Sequence, residues 1–433
     1  MPTTSRSIEA EKKVLEKLIG KFSFAQTKEQ QAAIVKETLE EVFSGIKERE
    51  KNAMVKKILS FGMIDPYIHD EEVEDLIING INPIFIFKSG EGMIKTDKKY
   101  ESLEELDLLM HKLLVFSGKH RLKPINNFHL PDGGRVNLVT SPFGPQITFR
   151  KFKQRPLSII DLVESGTMDY EVAAHLWLYA EGLGIKPANM LIGGMPGSGK
   201  TTLLNALFSF FPTNERIVVI EDTLELNTET RENCARLETT GELSMRELVK
   251  NTLRMRPDRL VVGEVRGEEA ADMMTAMNIG KICMGTIHAS SPREVVMRLE
   301  NAPMNVPTEI IPLIDVFIIV RQFYQKGKVL RAIVQISETG GIEKKVLLSD
   351  LAKFDVASGK IKNAHPSVIY RDRLAQASGV TPKEILNELK ARAKILENLS
   401  GKGIKSIEQL AEFCGEYYSE PDDALDKYRI KLQ

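Results

Sequence analysis

Three cysteines in 433 residues, Cys234, Cys283 and Cys414, form no C-x-x-C pair. That scarcity argues against a disulfide framework and a zinc ribbon, and it suits a reducing compartment. Neither sign of charge is in excess: 59 Lys and Arg stand against 60 Asp and Glu, a formal net charge of −1. No global basic field therefore argues for a nucleic-acid partner. Long apolar runs are missing too. The most apolar stretch, EIIPLIDVFIIV at 309–320, is too short to span a bilayer and carries Pro312 and Asp315. The amino terminus, MPTTSRSIEAEKKVLEKL, has no apolar core of the signal-peptide kind. The expectation is a globular cytoplasmic protein whose membrane association, if any, is peripheral.

What is present reads as several domains, since 433 residues exceed one ordinary core. Residues 1–60 carry apolar residues at helical spacing, as in EKKVLEKLI and AAIVKETLEEVFSGI, and predict a helical amino-terminal extension. Residues 61–153 hold short β-prone runs (DLIIN, PIFIFK, RVNLVT, QITFRKF) around one helical stretch, the pattern of a small α+β domain. KFKQRPLS, at 151–158, is polar, basic and broken by Pro156, and is the candidate linker. From about 159 to 325 strands and helices alternate, which argues for a parallel sheet with crossover helices; VLRAIVQIS and KKVLLSDL follow as further β-prone runs, and the α/β core is bounded at 154–345. Residues 346–433 read as mainly helical.

The chemistry concentrates in four stretches. GMPGSGKT fills G-x-x-x-x-G-K-[ST] from Gly194 to Thr201, between an apolar strand and a helix. Glycine-rich backbone there can wrap phosphate oxygens, Lys200 can reach the β- and γ-phosphates, and Thr201 can ligate Mg2+. The candidate nucleotide-binding set is Gly194, Pro196, Gly197, Ser198, Gly199, Lys200, Thr201 and Thr202, and it predicts binding of a nucleoside triphosphate. RIVVIEDTLEL ends an apolar strand in Glu221, Asp222 and Glu225; DRLVVGEVRG places Glu264 after a short buried strand; KICMGTIHA ends at His288. In an open parallel sheet, ligands gather at the carboxyl ends of strands, so all three could converge on the phosphate loop. A lone strand-end histidine is more often a core residue. With three such neighbours, His288 becomes a candidate for hydrogen-bonding the γ-phosphate or the attacking water. Ser291, Pro292 and Glu294 predict a helix start just beyond it, with an N-cap, an N1 proline and a capping-box glutamate, and Ser244 with Glu247 predict another capping box. Arg254, Arg256 and Arg259 could equally be solvated, ion-paired or functional.

In this order and spacing the stretches resemble the secretion or traffic ATPases of type II secretion, type IV pili, the archaeal swimming filament and type IV secretion, with the closest look to the tight-adherence and archaeal branch. IEDTLEL resembles the family's Asp box, LRMRPDRLVVGEVRG its Walker B region and GTIHASSPREVVMRLE its His box; LPDGGRVNLV followed by ITFRKF resembles the end of its amino-terminal domain. The similarity covers roughly residues 60–340. Gly280 and Lys281 stand where family members often carry a second histidine, and Thr240 where near relatives often have arginine.

The resemblance implies a RecA-like P-loop core with a smaller α+β amino-terminal domain and helical terminal extensions. It implies ATP and Mg2+ as cofactors, Glu225 as general base, Glu264 as Walker B carboxylate and metal ligand beside Thr201, and His288 as γ-phosphate sensor. Arg135 and Arg150 match arginines that close from the amino-terminal domain onto nucleotide, against the plainer reading of surface β-hairpin charges. It further implies a homo-oligomeric ring, a hexamer, handing motion to a polytopic membrane platform protein at the cytoplasmic face, with no direct nucleic-acid contact. Two other readings stay open: a conjugation-type ATPase, and a nucleotide-switched scaffold with little turnover.

Overall fold

The structure, a computed structural model, describes residues 5–22, 26–88, 91–129, 134–151, 156–325, 328–355, 360–363 and 368–432. Part of the expected linker (152–155) and the start of the LPDGG turn (130–133) lie outside the described residues. The chain forms two compact units, Met1–Gln154 and Arg155–Gln433.

The first unit opens with helices α1 (Ser5–Leu18), α2 (Lys28–Val42) and α3 (Glu48–Leu59). Helix α2 starts at a complete capping box, Thr27 with Gln30. A single turn α4 (Asp65–Ile68) leads to strands β1 (Val73–Asn79), β2 (Phe85–Lys88) and β3 (Gly92–Lys95). Helix α5 (Leu103–Phe116) and strands β4 (Ile125–His129), β5 (Arg135–Val139) and β6 (Gln146–Arg150) complete it. The six strands form one antiparallel sheet in the order β3-β2-β1-β6-β5-β4. Alternation along β5 and β6 puts Val136, Leu138, Ile147 and Phe149 into the core and leaves the intervening residues on the open face. Helix α5 is buried on two sides: Leu106, Leu109 and Leu113 face the sheet core, while Leu108, Val115 and Phe116 join Val14, Leu15 and Leu39 of the amino-terminal helices.

The second unit begins with α6 (Ile159–Glu164), α7 (Tyr170–Glu181) and strand β7 (Met190–Gly193). Then come α8 (Lys200–Ala206), β8 (Ile217–Glu221), β9 (Cys234–Glu238), α9 (Met245–Thr252) and β10 (Arg259–Val262). Helix α10 (Glu269–Asn278), β11 (Ile282–Ile287) and α11 (Pro292–Glu300) follow. A long meander, β12 (Val316–Gln325), β13 (Lys328–Ile342), β14 (Val346–Asp355) and β15 (Lys360–Asn363), precedes α12 (Ile369–Ser378), α13 (Pro382–Gly401), α14 (Ile407–Ser419) and α15 (Pro421–Lys427).

The nine strands run β15-β14-β13-β12-β7-β11-β10-β8-β9, parallel from β12 to β9 and antiparallel from β12 to β15. Strands β7, β8 and β10 are buried at every residue, which is why they read as unbroken apolar runs: helices cover both faces of the parallel part. The carboxy-terminal helices supply one of those covers. Ile385, Leu389, Ile395, Leu396, Leu410 and Phe413 share a core with Trp177 of α7 and Phe210 behind the phosphate loop. Trp177 stacks on Phe210, with ring centroids 5.2 Å apart, and its indole donates to Tyr418 Oη, which donates to the Phe210 carbonyl. Buried Glu338 of β13 caps α12 in place of an N-cap side chain, accepting from the Ile369 and Tyr370 amides and from Tyr179 Oη. Among the described residues no helix is long and apolar enough to cross a membrane.

Candidate nucleotide site

The phosphate loop leaves the carboxyl end of β7 and re-enters helix at Lys200. It lies against both neighbours of β7: the Gly194 amide donates to the Ile287 carbonyl of β11, and a Cβ at Gly194 would come 2.6 Å from the Val320 carbonyl of β12. That same Cβ would stand 2.3 Å from Ser198 Oγ, so this position admits only glycine. Gly197 and Gly199 both need positive φ, +75° and +98°. Ser198 Oγ is buried with no hydrogen-bond partner, a polar atom waiting for an acceptor or donor from outside the chain. A cradle of glycine backbone and one orphaned hydroxyl fits a polyphosphate.

Lys200, nearly buried, folds back to donate to the Gly194 and Met195 carbonyls at 2.9 and 3.3 Å. Desolvation lowers its pKa, opposed by the negative charges of Glu264 and Glu225. Its Nζ also lies 3.4 Å from His288 Nδ1, and His288 Nε2 lies 3.1 Å from Glu264 Oε1. The pattern defines a tautomer: Nδ1 accepts from the ammonium, and Nε2 carries the proton it donates to Glu264. Ammonium, imidazole and carboxylate thus stand in line at the loop, with His288 and Glu264 each about a third exposed (33% and 32%). The strand register explains the convergence: β11 lies between β7 and β10, Ile287 is level with Gly193 and Gly285 with Val262, so Glu264, two residues beyond Val262, emerges beside the end of β11 where His288 follows.

Glu225 reaches the same neighbourhood through Glu221. The buried Glu221 carboxylate accepts from the Glu225 amide at 3.0 Å and from the Leu226 amide at 3.1 Å, and so pins the turn after β8. Gly263 must be glycine for this to happen, because a Cβ there would come 2.8 Å from Glu221 Cγ. Burial pushes the Glu221 carboxyl up to about 7, against those two amide hydrogen bonds. Asp222 turns aside to an ion pair with Arg266 at 2.5 Å and accepts from Thr239 Oγ1. Thr201 and Thr202 are half-buried in the first turn of α8. Among the described residues no group of three or more His, Cys, Asp or Glu could hold a metal alone. A Mg2+ here would need phosphate oxygens and water beside Thr201 and Glu264, the ordinary way Mg2+ binds with nucleotide.

Arg135 and Arg150 lie directly opposite each other on adjacent strands β5 and β6 of the amino-terminal unit, with Asp75 of β1 opposite Arg150 on its other side. The structure therefore makes these two arginines cross-strand neighbours on one sheet.

A sequence profile for the family described as Type II/IV secretion system protein matches residues 68–351. The chain belongs to that family. Protein MJ0900 of Methanocaldococcus jannaschii, itself named as uncharacterised, is 32% identical over 87% of this chain and 71% of its own length. The conjugal transfer protein TrbB of Rhizobium radiobacter is 31% identical over 54% of this chain and 73% of its own. Among solved structures, the ATPase DotB of Legionella pneumophila aligns over 83% of this chain and 94% of its own, at 17% identity and a TM-score of 0.48.

Several residues of this secretion-family chain behave otherwise than their local sequence suggests. Glu294 does not close a capping box with Ser291; the Ser291 hydroxyl accepts from the Glu294 amide, but the Glu294 carboxylate reaches back one residue further to the Ser290 amide and hydroxyl. Ser244 and Glu247 do form the expected box. Of the three arginines, Arg254 and Arg256 are exposed, whereas Arg259 is wholly buried, paired with Glu215 at 2.8 Å and stacked 4.1 Å over the Phe211 ring. Gly280, at φ +85°, ends α10, donating to the Met277 carbonyl while Lys281 donates to that of Ala276. Thr240 caps its own turn, accepting from the Glu242 and Leu243 amides. Sequence reading missed Glu269, whose buried carboxylate accepts from the Arg266 and Gly267 amides and shapes the loop after Glu264. It also missed Arg331 of β13, which donates to the Gly197 carbonyl at 2.9 Å. No local signal marks either residue.

Proposed function

We propose that this chain is a Mg2+-dependent ATPase that drives assembly of a pilus-like filament or protein secretion across a membrane. The line Lys200, His288, Glu264 against a glycine cradle with an orphaned hydroxyl is the observation that carries the reading. In this mechanism Lys200 binds the β- and γ-phosphates, which give its desolvated ammonium the counter-charge it lacks. Thr201 and Glu264 would hold Mg2+, which would supply positive charge to the phosphates. Glu225, anchored through its amide by Glu221, takes the proton of the attacking water. His288 turns its Nε2–H from Glu264 to the γ-phosphate, while Nδ1 goes on accepting from the Lys200 ammonium. Arg135 and Arg150 bring positive charge from the amino-terminal unit to the transferred phosphoryl group, so that hydrolysis is coupled to movement between units. Membership of the secretion family supports a homo-hexameric ring working on a polytopic membrane protein at the cytoplasmic face, with no direct nucleic-acid contact. The likeness to TrbB, a conjugal transfer protein, favours a second reading in which the cargo of the machine includes DNA.

ATP turnover by wild type, Glu225→Gln and His288→Ala, with ring formation followed in the same samples, tests the reading. Loss of the general base should slow turnover by roughly 10²- to 10⁴-fold while ATP binding and assembly persist. Normal hydrolysis by His288→Ala would return that histidine to a structural role, and a wild type that binds ATP without turnover would favour a nucleotide-switched scaffold.

A further inference from the structure

The strand-end candidates for the γ-phosphate, Glu225, Glu264 and His288, lie on one flank of β7, beyond the ends of β8, β10 and β11. The other flank is β12 and β13. Strand β12 pairs with β7 only as far as Ile319 opposite Gly193. It continues to Gln325, with β13 returning beside it, so the hairpin overhangs the phosphate loop by roughly 20 Å of extended chain. On the overhang Gln322 and Arg331 are cross-strand partners on one face. Gln322 Oε1 would stand 3.2 Å from a Cβ at Gly197, and Arg331 Cδ 3.4 Å from one at Gly199. Arg331 Nε donates to the Gly197 carbonyl, and no carboxylate among the described residues pairs with the guanidinium, whose terminal amino groups make no other hydrogen bond. A half-buried guanidinium is always charged, and its fork of donors matches phosphate.

We propose that Arg331 is a nucleotide-binding residue acting within its own subunit: Nε holds the phosphate loop at Gly197 while the terminal amino groups meet the α- and β-phosphates. The assignment to that end of the nucleotide follows from the flank. The γ end belongs to Lys200, His288 and Glu264, so a cation on the opposite side of the loop meets the phosphates nearer the nucleoside. Gln322, its cross-strand partner, donates to Tyr324 Oη at 2.8 Å. This rests on the nucleotide-binding reading of the phosphate loop.

Equilibrium binding of fluorescent ADP and of a non-hydrolysable ATP analogue is measured on the full chain for wild type, Arg331→Ala, Arg331→Lys and Arg331→Gln. Melting temperature is recorded alongside, and turnover kinetics are measured with ATP. The Ala variant should weaken both nucleotides equally, by roughly 10- to 100-fold. Its KM should rise in step while kcat stays within about threefold, since the γ-phosphate groups are untouched. The Lys variant should recover part of the affinity, and the Gln variant, which can still donate to Gly197 but carries no charge, none. Affinity restored by Gln would show a loop brace and overturn the phosphate contact. A loss confined to the ATP analogue would overturn the α/β assignment. Wild-type affinity in Arg331→Ala would overturn the proposal outright, whereas a wild type that binds neither nucleotide would overturn the nucleotide-site reading beneath it.

Discussion

Two charged clusters in the carboxy-terminal unit use similar parts to opposite ends. Around Arg392 the chain closes on itself: Nη2 donates to Glu181 at 2.9 Å, Nε to Glu388 at 2.8 Å, and the guanidinium lies 4.8 Å over the Trp177 ring. Tyr417 Oη adds a hydrogen bond to Glu388, and Arg392 is 2% exposed. Around Lys200 the chain leaves work undone: the ammonium bonds two carbonyls and an imidazole, no carboxylate pairs with it directly, and Ser198 Oγ beside it has no partner. One cluster pairs its charge with two carboxylates, leaving only Arg392 Nη1 without a hydrogen bond, and holds helices together. The other carries a desolvation cost that Glu264 and Glu225 offset without direct contact, and that an incoming anion would relieve further. Buried charge by itself is therefore no sign of function; the sign is charge whose compensation is missing from the chain.

Removing the cation from each cluster separates the two most strongly. Lys200→Met should lose nucleotide affinity by roughly a thousandfold, about 4 kcal/mol, yet melt no lower than wild type without nucleotide, because a poorly compensated ammonium has been removed. Calorimetric binding together with thermal melts in the presence and absence of ATP checks both halves, and only wild type should gain stability from the ligand. Arg392→Met should do the reverse, costing about 3–5 kcal/mol by stranding Glu181 and Glu388, with turnover per folded molecule unchanged. Urea unfolding measures it, and a melt equal to wild type would dissolve the contrast.

Glu221 is the intermediate case, since it sits in the site but is satisfied by the chain. Its carboxyl is raised from the ordinary 4.5 to about 7 by burial, so its contribution to stability is present in full below about pH 4.5 and is lost as pH rises through about 7. Wild type should therefore lose about 3 kcal/mol relative to Glu221→Gln between those values, read from urea midpoints across the pH range. The smallest expected effect is a local one. Ser291→Ala removes the N-cap of α11 and should cost about 1 kcal/mol in chemical denaturation, with His288 still in place and turnover nearly intact.

What could be read from sequence follows the range of the interactions. The phosphate loop, the strands that end at Glu221, Glu264 and His288, and the cap at Ser244 are signalled within a few residues. Their convergence follows from the rule that parallel strands present ligands at one end. The parallel α/β core is legible for the same reason, because buried parallel strands are apolar without a break. The Arg392 cluster was not legible: Glu181 lies 211 residues from its arginine, and each alone looks like a solvated helix position. Arg259, read as ambiguous, is settled by Glu215 and Phe211, which sequence spacing cannot bring beside it. Arg331 was invisible because strand alternation does not reveal that β13 overhangs a loop more than a hundred residues away.

The Trp177, Tyr418, Phe210 chain of contacts also has a consequence for how the molecule opens. It ties α7, the segment after α8 and α14 into one hydrogen-bonded stack, and Glu338 ties α12 to β13 in the same body. In hydrogen-exchange terms, the amides of α7, α13 and α14 should lose protection together. A protease that trims the carboxy-terminal helices would then strip the back wall from the phosphate loop's own helix, leaving a fragment with its aromatic interior open to water.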